Sequence, residues 1–143
     1  MSIRRKTRNR LLLLLAISVI GVGGLAGTYY IRRSYLNAWA MREREAGMVS
    51  VKAEDYAAGL AQLGHYLGRY SDRSEQFEGR YTDALFNYAL SRQMVEEPKM
   101  AHLVTAASLW KRYLAIRPNN AEARHQLLDA QLGLGWIPER RAR

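Results

Sequence analysis

The stretch Leu11–Ile31, LLLLLAISVIGVGGLAGTYYI, decides how the rest of the chain is read. It runs for 21 residues without a charge. At about 1.5 Å per residue a helix of that length reaches roughly 30 Å, the hydrocarbon thickness of a bilayer. Arg4, Arg5, Lys6, Arg8 and Arg10 precede it, and Arg32 and Arg33 close it. Tyr29 and Tyr30 stand where aromatic side chains favour the membrane–water interface. These features predict a basic N-terminal tail (1–10) and a single transmembrane anchor (11–31). A secretory signal peptide is the competing reading, with an apolar core over Leu11–Ile20 and cleavage after Ala26. The apolar character that continues through Ile31 favours retention. A buried helix of a soluble domain is a third, poorer fit, because so long an uncharged run rarely sits in a small domain.

The cations are densest before the span. That predicts the N-terminus inside and everything after Arg33 on the extracytoplasmic side, the periplasmic side if the chain is bacterial. Gly23 and Gly27 form a GxxxG spacing, which lets two membrane helices approach closely. They are candidate helix-packing positions, although glycine is also common in membrane helices.

A formal net charge of +9 would suit a nucleic-acid partner. Its distribution does not. The excess belongs to the first ten residues, to Arg32 and Arg33, and to the tail Glu139–Arg143. The body between Ser34 and Pro138 holds twelve cations and twelve anions. The basicity therefore fits anionic lipid headgroups better than a nucleic acid. The chain has no cysteine, which removes disulfides, thiolate metal sites and a cysteine nucleophile. Alternating strand patterns and hairpin dipeptides are lacking, so the expected fold class is all-α.

Beyond the anchor the chain reads as short amphipathic helices. Ser34–Ala46 continues the membrane helix outward, with Tyr35, Leu36 and Trp39 as a small apolar cluster, and Gly47 is the expected stop. Met48–Lys52 reads as a connection. Glu54–Tyr70 places Tyr56, Leu60, Leu63, Leu67 and Tyr70 on one face, with a turn at Ser71, Asp72 and Ser74. Glu75–Val95 places Phe77, Tyr81, Leu85 and Tyr88 on one face and ends before Pro98. Lys99–Ile116 carries Leu103, Ala107, Trp110 and Leu114. After a turn at Pro118–Asn120, Ala121–Leu134 carries Ala123, Leu127, Ala130 and Leu134 and stops at Gly133 and Gly135. None of these helices can bury its apolar face alone, but stacked neighbours can. The helical domain is expected over 34–137, followed by a basic tail (138–143).

Ala106–Leu127, AASLWKRYLAIRPNNAEARHQL, resembles the second helix of a tetratricopeptide repeat running into the next repeat. Ala106, Trp110 and Pro118 supply the small residue, the aromatic residue and the proline of that pattern, and Asn119–Ala123 resembles the start of the following unit. The small residue lets two helices approach, the aromatic ring fills the space between them, and the proline ends the helix. A weaker copy has Gly59, Leu63 and Ser71 in the matching places, with Ala46-Gly47 at its Leu-Gly signature. The two copies stand 47 residues apart, against a family period of about 34. Inserts around Gln76–Tyr81 and Val95–Lys99 would absorb the difference. The resemblance covers roughly 40–135 and implies a short helical-repeat solenoid that binds a protein along a concave face. Tyr81, Asn87, Tyr88, Arg92, Arg124 and Gln131 are the partner-binding candidates it suggests.

Nothing in the sequence asks for an enzyme, a metal or a cofactor. His65, His102 and His125 are far apart in sequence and fit no metal-ligand spacing. The pairs Glu54-Asp55 and Glu96-Glu97 suit solvated helix ends. Ser91 and Ser108 fall inside helices, away from any nucleophile elbow. Two functions remain. One is a membrane-tethered scaffold for protein–protein interaction. The other is a small single-pass accessory subunit of a membrane complex, with the span as its main contact and a homo-oligomer as one form.

Overall fold

The computed structural model describes residues 2–70, 79–95 and 99–135, with side chains from Arg10 onward and without that of Lys99. Among these residues there are helices and no strand. They are α1 (Ser2–Lys52), α2 (Tyr56–Arg69), α3 (Gly79–Met94), α4 (Lys99–Ile116) and α5 (Ala121–Gly133). Two compact units divide the chain, 1–39 and 40–143. Ser34–Trp39 thus fall in the first. The expected turn at Ser71–Ser74, the helix start at Glu75 with Phe77, the stop at Pro98 and the tail 138–143 lie outside the described residues.

The first unit is helix. Its apolar side chains point to every side and are exposed from Leu11 (62 %) to Ile31 (73 %). Among the described residues one helix, within Arg10–Lys52, is long and apolar enough to cross a membrane, a property that signal sequences share. Thr28 Oγ1 donates to Gly24 O at 2.8 Å, so its hydroxyl is satisfied within the helix.

The second unit is a succession of antiparallel helices, each packed on the next in chain order. Its first layer is 40–52 of α1 against α2. Gly47 does not end α1, contrary to expectation; the helix continues through Met48–Lys52. The glycine serves packing instead. A Cβ there would lie 2.6 Å from Leu63 Cγ and 3.1 Å from Leu63 N. Gly59 on α2 does the same in return, with Val51 Cγ2 at 2.7 Å from a Cβ. The two helices interlock through a glycine on each.

α1 ends in a tight reversal. Asp55 N donates to Ser50 O (2.9 Å) and Glu54 N to Val51 O (3.0 Å), the paired bonds of a Schellman stop. Glu54 occupies the left-handed position of that stop, with φ 61°. Asp55 then caps α2 by accepting from Ala58 N at 3.1 Å. Ala40, Val51, Leu63, Tyr66 and Ala84 form one buried cluster. A second, larger one comprises Tyr81, Leu85, Ala89, Leu103, Ala106, Ala107, Trp110, Tyr113, Ala123 and Ala130, from α3, α4 and α5. Leu67, Tyr70 and Leu90 pack against both.

The two glycine-type positions make a paired prediction. Gly47→Ala overpacks Leu63 at about 1–3 kcal/mol, more than the ~1 kcal/mol that helix propensity returns. Glu54→Gly relieves a left-handed side chain and gains about 1 kcal/mol. Thermal melts followed by circular dichroism are expected to show a lower midpoint for the first variant and a higher one for the second.

Candidate interaction surface

The apolar stripe of α4 sets the geometry of the C-terminal three helices. Trp110 is 0 % exposed. Its ring meets Phe86 edge-on at 4.9 Å and Tyr113 at 6.2 Å. Its indole N–H would be costly to bury without an acceptor, and Gln93 Oε1 supplies one at 2.8 Å. Gln93 Nε2 in turn donates to Gln126 Oε1 at 3.0 Å. One polar chain therefore ties α4 to α3 and α3 to α5.

A second seam lies beside it between α3 and α4. Arg92 places its guanidinium over the Tyr88 ring at 5.7 Å and approaches the Tyr88 hydroxyl at 3.3 Å. Its other terminal nitrogen meets His102 Nδ1 at 2.9 Å. Its Nε is buried with no hydrogen-bond partner.

Most of the partner-binding candidates therefore have structural work. Tyr81 is not on a surface; it is 1 % exposed, because its place on α3 turns it toward α4. There its hydroxyl accepts from Arg112 Nη2 at 2.6 Å and its ring lies under that guanidinium. Tyr88 and Arg92 are half-buried in the seam just described. Asn87 is half-buried; its Nδ2 donates to Asp83 O, and its backbone carbonyl accepts from Ser91 Oγ, both at 2.8 Å. Arg124 is exposed and reaches back to Pro118 O, and Gln131 is half-buried. The six are not brought together on one open face.

The open apolar surface is elsewhere. Leu128 (50 %) and Leu132 (42 %) stand one turn apart on α5, opposite the buried Ala123 and Ala130. Met100 (60 %) and Val104 (45 %) form a similar pair on α4. These four were missed in the sequence. Their signal was available: large apolar residues that fall off the core stripe of their own helix. In the first unit, a Cβ on Gly23 or Gly27 would meet nothing within 4 Å.

The second unit also has a hollow of about 290 Å³ at the α4–α5 turn, lined by Tyr113, Ile116, Arg117, Pro118, Asn119 and Asn120. Asn120 is occupied there, donating to the Tyr113 hydroxyl at 3.0 Å and capping α5 by accepting from Ala123 N at 2.9 Å. His65 meets Glu43 at 3.0 Å and His125 meets Asp129 at 3.4 Å. Among the described residues no three His, Cys, Asp or Glu side chains gather closely enough to hold a metal ion.

Comparison with protein-family models, with curated proteins and with solved structures yields no match.

The Gln93–Trp110 bond can be tested by a double-mutant cycle. Gln93→Leu strands the buried indole N–H and is expected to cost about 1–3 kcal/mol in chemical denaturation. In the background of Trp110→Phe the same change is expected to cost less, with a coupling of about 0.5–3 kcal/mol.

Proposed function

We propose that this chain is a membrane-tethered helical scaffold, of the tetratricopeptide type, whose second unit recognises a protein partner. The observation that carries the proposal is the back face of α5. That helix is the last one described, and Leu128 and Leu132 are exposed on it side by side. In a stacked array such a face is covered by the following helix. Here a helix from a partner protein takes that place. The order of packing, each helix on its neighbour, supports the same reading. So does the spacing of Ala106, Trp110 and Pro118. Residues 11–31 serve as the anchor, with the second unit on the extracytoplasmic side. No catalytic, metal or cofactor role belongs to this proposal.

One observation favours a second reading, the accessory subunit held by its span. Gly23 and Gly27 stand one turn apart on α1, and among the described residues nothing lies within 4 Å of a Cβ at either. A second membrane helix, from another protein or another copy, would fit there.

Photo-crosslinking amino acids at Leu128 and Leu132 separate the two. Partner adducts are expected from both positions in detergent-solubilised membranes. They are expected to persist when 11–31 is replaced by an unrelated membrane helix. Adducts that disappear with the native span would overturn the scaffold proposal in favour of the accessory subunit.

A further inference from the structure

The body of the chain has balanced charge in sequence, yet folding gathers exposed cations at one end. Because successive helices alternate in direction, one end of the second unit gathers Ala40, the last turns of α2 and α4, and the first turns of α3 and α5. Contacts across this end confirm the grouping. Arg44 Nε donates to Arg80 O at 3.1 Å, Arg112 meets Tyr81, and Asn120 meets Tyr113. Exposed around it are Arg69, Arg80, Lys111, Arg112, Arg117 and Arg124. Of the described carboxylates here, Asp83 pairs with Arg44 at 3.8 Å, Glu43 meets His65, and Glu45 and Glu122 stand exposed. The exposed cations outnumber these described carboxylates. At the opposite end the described exposed charges are Lys52, Glu54 and Asp55.

Local helix electrostatics explain only part of this. Arg69 and Arg117 sit at the C-terminal ends of α2 and α4, where a cation complements the helix dipole. Arg80 and Arg124 sit in the first turns of α3 and α5, where a cation is unfavourable. The helix dipole does not account for those two, although Arg124 also reaches back to Pro118 O.

We propose that this end of the second unit docks on an anionic phospholipid surface. The proposal rests on 11–31 being a retained anchor, because the chain enters the unit at this same end, a short stretch after Ile31. Each cation brought to an anionic surface contributes roughly fivefold to the docked population. The attraction fades over about 8 Å at physiological salt, so the contact is close and salt-sensitive.

The chain has no cysteine, so a single introduced thiol can be labelled without background. Asn119→Cys marks the basic end and Ala57→Cys the opposite end; both positions are exposed. The full-length protein is placed in vesicles that carry a fluorescent headgroup acceptor. Energy transfer from position 119 is expected to be stronger with phosphatidylglycerol than with phosphatidylcholine alone, and to fall as salt is raised. Transfer from position 57 is expected not to rise. Lys111→Glu with Arg117→Glu should abolish the gain at 119. Neither side chain bonds to another described residue, and helix content by circular dichroism checks the fold. Transfer from 119 that ignores headgroup charge, or ignores salt, overturns the proposal. That is also the result if this end takes an acidic protein instead. Flotation on phosphatidylcholine vesicles reports the anchor separately. A chain that floats there but shows flat transfer keeps its anchor and loses this docking surface. One that floats only with phosphatidylglycerol loses the anchor, and with it the premise of this docking surface.

Discussion

Burial of the Trp110 indole is the constraint on which the C-terminal half of the second unit depends. The ring sits where α3, α4 and α5 meet, and a side chain of that size contributes about 3–5 kcal/mol when enclosed. Enclosure is possible because small residues surround it. Ala106 and Ala107 on α4, Ala89 on α3, and Ala123 and Ala130 on α5 are all fully or almost fully buried. They let the helix backbones close around the ring. Its one polar atom then dictates a second layer of order. Gln93 must face the indole N–H, and Gln126 follows Gln93. Burial and hydrogen bonding thus specify the same arrangement, which is how a small core selects one packing over others.

The N-terminal layer of the unit reaches close approach by different means. Its buried aromatic side chain is Tyr66 of α2, over which the Arg44 guanidinium of α1 lies at 6.0 Å. Gly47 and Gly59 bring the backbones together, and Leu63 and Val51 fill the space each glycine leaves. The reversal between these helices is correspondingly short. Three residues, Ala53 to Asp55, end one helix and cap the next. A turn this compact leaves no slack, so Glu54 takes a left-handed conformation that a glycine would adopt more easily. Tyr66 and Ala84 then pass the packing on to α3.

Surface chemistry follows from this alternation of direction. Antiparallel neighbours place every second connection at the same end, so residues distant in sequence become one patch. The exposed cations of α2, α3, α4 and α5 meet at one end. The exposed pair Leu128 and Leu132 lies apart from that end, on the back of the last described helix. The basic end and the apolar back face are separate surfaces of the second unit.

Much of this was legible in the sequence, for local reasons. The uncharged run 11–31, the 3.6-residue stripes and the stops at Pro118 and Gly135 are short-range signals. They fixed the helical class, the core face of α4 and the Ala123/Ala130 face of α5. Gly47 was misread because a glycine looks alike whether it ends a helix or admits a neighbour, and only the position of Leu63 distinguishes the two. Tyr81 and Arg92 suffered the same ambiguity, since an amphipathic side chain can line a surface or bridge two helices. The spread of charge along the chain was legible, but not which of the body's charges meet in space. The sequence by itself determined which residues form helices and which stripe of each is apolar, because both depend on neighbours three and four positions away. The tertiary structure alone decided which helix faces meet, which polar groups pair across them and where charge collects, because those depend on contacts between residues far apart in the chain.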